Sequence, residues 1–122
     1  MKVLVIGAAG MVGRKLVAAL LAAGQINDKA ISSLTLADVV EPPGLGIDIA
    51  HTVIATDLSE EGAAASLIAE RPDMIFHLAA IVSGEAEADF EKGYRINLEG
   101  TRALLESIRL ASQSEPYCPR LV

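Results

Sequence analysis

Three glycines spaced three apart, in Gly7-Ala8-Ala9-Gly10-Met11-Val12-Gly13, stand directly after an apolar run and at the head of a helical repeat. Backbone amides that open a helix bind anions, so this stretch suits a diphosphate. Gly7 permits a sharp turn, Gly10 admits close backbone approach, and Gly13 lets the helix lie near the strand. The spacing is GxxGxxG rather than GxGxxG. A P-loop is excluded, because Arg14-Lys15 follows Gly13 where that loop needs Gly-Lys-Ser/Thr. The same glycines also suit a strand-to-helix turn that holds no ligand. A dinucleotide makes a second demand, an acid ~20 residues on, at the end of the second strand, to accept from the adenosine ribose hydroxyls. Asp38 meets it 25 residues after Gly13, the excess lying in the polar stretch 25–32. A carboxylate there repels a 2′-phosphate and Val39-Val40 brings no arginine to receive one, which favours NAD over NADP. The alternative is a solvated turn aspartate. Asp57-Leu58 offers an acceptor beside an apolar side chain, suited to the amino group and ring of adenine, or else an aspartate that caps the next helix.

These residues need a scaffold that brings them to one edge. Residues 2–7 read as a strand, and residues 11–23 as a helix with Val12, Leu16, Val17, Leu20 and Leu21 at helical spacing, ended by Gly24. Residues 25–29 are a polar connection, and residues 33–39 a second strand, broken by Pro42-Pro43-Gly44. A third strand is expected at 52–56, and Ser59 is expected to cap a helix that runs to about Glu70. A fourth strand covers 73–78. One long helix follows from about Glu85 to Ser112, with Phe90, Tyr94, Leu98, Leu105 and Ile108 on one apolar face. Arg120-Leu121-Val122 begins a fifth strand. Strands alternating with helices predict an α/β chain of the Rossmann type, a doubly wound parallel sheet of order 3-2-1-4, incomplete at four strands and the start of a fifth.

Composition agrees with such a core and narrows the partners. With 122 residues the chain is one domain or part of one, and it is 52% hydrophobic against 21% charged, so it is not a disordered segment. Aromatics are only 3%, so the core is aliphatic, as buried parallel sheets are. A net charge of −6 leaves no field to hold a nucleic acid backbone. No membrane segment is expected, since the first apolar run stops well short of the ~20 residues that span a bilayer. A single cysteine, Cys118, makes no internal disulfide, two histidines and one cysteine do not fill a zinc shell unaided, and a cytoplasmic location fits best. No metal is expected. His51 is expected at the surface and Cys118 is expected to be unreactive.

The glycine triplet, Asp38, Asp57-Leu58, Asp73-Met74-Ile75-Phe76-His77-Leu78-Ala79-Ala80 and Asn97-Leu98-Glu99-Gly100-Thr101 occur in an order that resembles the extended short-chain dehydrogenases/reductases, the NAD-dependent epimerase/dehydratase family. The runs 82–90 and 93–97 look most like the branch that contains D-erythronate dehydrogenases, which oxidise a sugar acid. The resemblance covers nearly the whole chain. It implies that Gly7, Ala9, Gly10, Met11, Val12, Gly13, Asp38, Asp57, Leu58, Leu78, Ala79, Ala80, Val82 and Asn97 contact NAD. It gives Asn97 a supporting role, holding the fourth strand or a water relay, where a bare reading makes it a polar core residue satisfied by backbone. His77 is expected to be structural, bonded to neighbouring loops. The family's Tyr-x-x-x-Lys pair has no counterpart here: Leu98 stands four places after Tyr94 and Leu121 four places after Tyr117. The chain therefore reads as the N-terminal part, residues 1–122, of an NAD-binding domain with no catalytic pair of its own. The rival readings are a nucleotide-sugar epimerase or dehydratase and a catalytically silent NAD-binding module. Family members dimerise through the helix after the fourth strand, so Phe90 and Tyr94 suit a homodimer contact or the core. An exposed outer edge on the fourth strand and poor solubility are expected of 122 residues alone.

Overall fold

A computed structural model describes residues 1–42 and 49–122. Of the breaker Pro42-Pro43-Gly44, Pro43 and Gly44 lie outside the described residues. The first strand, β1 (Lys2–Ile6), is buried at four of its five positions. Side chains alternate across a strand, so Val3 and Val5 enter one core cluster while Leu4 and Ile6 enter another. A strand covered on both faces must be apolar throughout, which is why this run shows no polar alternation.

Helix α1 (Met11–Ala23) has the expected bounds, because glycine punctuates both ends. Gly10 is its N-cap, and Gly24, left-handed at φ 64°, returns its N–H to the Leu20 carbonyl. Its Val17 and Leu20 pack with Val3, Val5, Leu34 and Leu36 on the first face of the sheet. The expected polar connection is a small hairpin of β2 (Gln25–Ile26) and β3 (Lys29–Ala30). Asn27 and Asp28 turn it with φ of 48° and 62°, values that these two side chains tolerate better than most.

Next come β4 (Ser33–Asp38), β5 (His51–Ala55), α2 (Ala63–Ala69) and β6 (Met74–His77). Helix α2 begins at Ala63 with Gly62 as its N-cap, so Ser59 is not the cap that its type suggests. Instead, the Ser59 amide and hydroxyl both donate to Asp57. The expected long helix is in fact interrupted. Asp89 leaves helical geometry (φ −133°, ψ 87°), splitting α3 (Ser83–Ala88) from α4 (Phe90–Tyr94), and its carboxylate caps the Lys92 amide at 3.0 Å. A π-helical stretch, Arg95–Gly100, leads into α5 (Thr101–Ser114). On the second face of the sheet Leu104 of α5 packs with Leu67 and Ile68 of α2 and with Ile75. Phe90, Tyr94, Leu98 and Leu105 are not core residues, being 65%, 52%, 54% and 50% exposed, whereas Ile108 does pack on the core.

The sheet order is β5-β4-β1-β6-β7, with β7 at Arg120–Leu121 and every pairing parallel. The outer edge of β6 is therefore occupied, contrary to expectation: Met74 pairs with Arg120, Ile75 with Leu121, and the His77 amide donates to Val122 at 2.8 Å. A latch supports this last strand. The Tyr117 hydroxyl donates to the Pro72 carbonyl at 2.8 Å, and the Arg71 guanidinium lies 4.6 Å from the Tyr117 ring centre. Among the described residues no helix is long and apolar enough to cross a membrane.

Candidate functional site

Parallel strands leave a crevice beyond their carboxyl ends where successive connections diverge to opposite sides, and β1 lies at that point here. A cleft of about 280 Å³ opens there, at the low end of the ~300–1,000 Å³ typical of ligand sites. The glycine turn forms its floor. Gly7 sits at φ +90°, and a Cβ there would lie 2.7 Å from the Ala79 amide nitrogen, so the loop after β6 rests on this glycine. A Cβ on Gly13 would lie only 2.0 Å from the Gly7 carbonyl oxygen, so helix and turn touch backbone to backbone. The first amides of α1 remain open: those of Met11, Val12 and Gly13 meet no acceptor among the described residues, and no side chain caps this end.

Asp38 ends β4 and leans over the glycine turn. Its Oδ2 accepts from the Ala9 amide and its Oδ1 from the Val39 amide, both at 2.8 Å. Each carboxylate oxygen accepts two hydrogen bonds, so each retains one free position, a spacing suited to a vicinal diol. Ala9 donates to protein and so has no N–H left for a phosphate. Among the described residues no Lys or Arg lines the cleft; the ionisable side chains that do are Asp38, Asp57 and His77.

Asp57 follows β5. Its Oδ1 accepts from the Ser59 amide at 2.9 Å and the Ser59 hydroxyl at 2.6 Å, and its Oδ2 from Arg95 at 3.3 Å. The Ser59 hydroxyl, then its amide and the Arg95 charge, hold this carboxyl below the usual carboxylate range despite partial burial. Aspartate thus closes a local turn rather than capping α2 directly.

His77 ends β6, and its partner is Thr101 in α5 rather than a loop. Its Nε2 lies 2.9 Å from the Thr101 hydroxyl, which itself donates to the Asn97 carbonyl at 3.0 Å. With that hydroxyl proton committed, Nε2 carries the proton and donates. Burial pushes the imidazole pKa down, so the ring is neutral at pH 7, and its Nδ1 is buried without a partner among the described residues. His51 is half-buried in β5 with Nδ1 3.1 Å from the Ile49 carbonyl, not fully at the surface.

Of the residues expected to contact a cofactor, the cleft is lined by Gly7, Ala9, Gly10, Asp38, Asp57, Leu58, Leu78, Ala79 and Ala80. Met11 and Val12 stand beside it, exposed, and Gly13 lies buried beneath its floor. Val82 is 74% exposed and outside the lining. Asn97 is exposed rather than core, and it grips the loop instead of the strand: Oδ1 accepts from the Ile81 amide at 2.9 Å and Nδ2 donates to the Ile81 carbonyl at 3.0 Å. Sequence reasoning missed Ser59, Ile96 and Arg95; no local pattern ties Arg95 to Asp57, 38 positions earlier. Among the described residues, no cluster of His, Cys, Asp and Glu is arranged to hold a metal.

Residues 3–118 match the family described as NAD dependent epimerase/dehydratase family. A D-erythronate dehydrogenase of Cupriavidus necator is 46% identical over 113 residues, covering 89% of this chain and 35% of the relative. Among solved structures, a nucleoside-diphosphate-sugar epimerase from Agrobacterium tumefaciens superposes with a TM-score of 0.96 at 52% identity, covering 99% of this chain and 36% of that one. A variant of uronate dehydrogenase from the same organism, complexed with NAD, superposes with a TM-score of 0.74 at 28% identity, covering 98% and 38%. The chain thus spans about a third of the length of the relatives it matches.

Proposed function

We propose that this chain, which belongs to the NAD-dependent epimerase/dehydratase family, is the N-terminal part of an NAD-binding domain. In our reading, the whole protein oxidises a hydroxyl of a sugar acid such as D-erythronate. NAD, when bound, supplies the hydride acceptor. The observation that carries the reading is the pairing of open amides at Met11 and Val12 with an Asp38 carboxylate that keeps one free acceptor on each oxygen.

The residues fit the cofactor on chemical grounds. A diphosphate needs donors, and the N-terminal amides of α1 offer them with the favourable end of the helix dipole. A ribose diol needs two acceptors, and Asp38 has two to spare. The absence of any Lys or Arg in the cleft lining among the described residues, together with the Asp38 charge, disfavours a 2′-phosphate and so supports NAD over NADP. Small residues at Ala79 and Ala80 let a ligand reach the loop backbone. Asn97 holds that loop in place and His77 braces the end of β6, so both are assigned supporting roles.

The sugar-acid substrate is favoured by the relative named D-erythronate dehydrogenase. A nucleotide-sugar epimerase is the second reading, favoured by the solved structure of that title at 52% identity. We also assign a cytoplasmic location and a homodimer contact through the helices from Ser83 to Ser114, supported by the exposed Phe90, Tyr94, Leu98 and Leu105. The purified whole protein with NAD and D-erythronate tests the substrate: reduction of the cofactor, followed at its usual absorbance band near ~340 nm, is expected. Interconversion of nucleotide sugars without net reduction would favour the second reading. Calorimetric binding of NAD with NADP at least ~10-fold weaker tests the cofactor; equal affinity would overturn the role of Asp38.

A further inference from the structure

We propose that Arg95 is a positioning residue that, with Ser59, leaves Asp57 one hydrogen-bond acceptor facing the cleft, and that this makes the site select a 6-aminopurine over a 6-oxopurine. The inference rests on the reading of the cleft as an NAD site. A carboxylate has about four acceptor positions. Both on Oδ1 are taken, by the Ser59 amide at 2.9 Å and its hydroxyl at 2.6 Å. One on Oδ2 is taken by Arg95 Nη1 at 3.3 Å. The same nitrogen reaches the Ser59 hydroxyl oxygen at 3.4 Å, so the three side chains close a ring of hydrogen bonds.

One position on Oδ2 remains, and Asp57 lines the cleft. A lone acceptor is complementary to an exocyclic amino group and repels a carbonyl oxygen in its place, which also leaves the carboxylate unmatched. Arg95 itself does not line the cleft; it acts from behind, in the π-helical stretch next to Ile96, which does line it. The arginine also fixes Oδ2, as Ser59 fixes Oδ1. Without it a second position on Oδ2 opens to water, and the acceptor no longer stands at one fixed place.

The test compares two dinucleotides that differ only at the purine: NAD and nicotinamide hypoxanthine dinucleotide. Binding to the full chain is measured by calorimetry, so turnover is not needed. Wild type is expected to prefer NAD by about 10- to 100-fold, the range of one hydrogen bond to a charged group. Arg95→Met keeps the aliphatic stem and removes the donors; the preference is expected to fall to about threefold or less, mostly through weaker NAD binding. Ser59→Ala, which frees a position on Oδ1, is expected to give an intermediate ratio. A ratio unchanged in both variants, or equal weakening of both dinucleotides, overturns the proposal. Failure of wild type to bind either dinucleotide would instead overturn the reading of the site.

Discussion

Replacing Gly13 by alanine adds one methyl group where there is no room for it. The new Cβ lies 2.0 Å from the Gly7 carbonyl oxygen, 2.8 Å from Ala8 Cα and 2.9 Å from the Gly7 carbonyl carbon. Non-bonded heavy atoms sit comfortably at about 3.5 Å. All three obstructing atoms are backbone, so no side chain can swing aside, and α1 must move off the turn by more than ~1 Å. That movement also loosens Val17 and Leu20, which pack against β1 and β4. Overpacking costs about 1–3 kcal/mol and sometimes more. Alanine's better helix propensity returns up to ~1 kcal/mol. With three backbone atoms in the way the cost lies at the upper end of that range, and we expect a net loss of about 2 kcal/mol. Gly24→Ala is the control, since its φ is +64° with nothing within 4 Å of the added atom; only the left-handed conformation is penalised, by about 1 kcal/mol. Urea unfolding of the full chain, followed by circular dichroism, compares the two. Equal midpoints would refute the claim that backbone contact at Gly13 sets the distance between helix and turn.

Tyr117 makes stability depend on alkaline pH. Burial pushes its phenol from 10.0 to about 12, so between those values the unfolded chain releases a proton that the folded one retains. Stability is expected to fall as pH rises from about 10 to 12, and Tyr117→Phe is expected to remove that slope at a cost of about 1 kcal/mol at neutral pH, both read by urea unfolding; an unchanged slope would sink the assignment. Asn97→Ala is expected to speed hydrogen exchange at the Ile81 amide by roughly tenfold while global stability drops by no more than about 1 kcal/mol. Exchange unaltered at Ile81 would show that the loop needs no clamp.

Much of this arrangement is legible from residue types alone, where the signals are local. The bounds of α1 follow from Gly10 and Gly24, and the core of β1 from an unbroken apolar run. The positions of Asp38 and Asp57 at one sheet edge follow from strand count. The misreadings are those where a local signal has two outlets. Ser59 precedes an alanine run as a cap would, but the nearer Asp57 takes both its donors. Helical periodicity runs on through residues 85–112, yet Asp89 finds a better bond by leaving the helix to cap Lys92. Asn97 looks like a buried polar residue from its apolar neighbours, whereas the π-helical stretch turns it toward Ile81. The bond from Arg95 to Asp57 joins elements 38 residues apart, and spacing carries no trace of such a pair.

The most direct test of the site is a crystal structure of the full chain grown with NAD. The account predicts the adenosine ribose hydroxyls on the Asp38 carboxylate and the diphosphate against the amides of Met11 and Val12. A dinucleotide seated elsewhere, or one whose ribose leaves Asp38 bonded only to Ala9 and Val39, would contradict it.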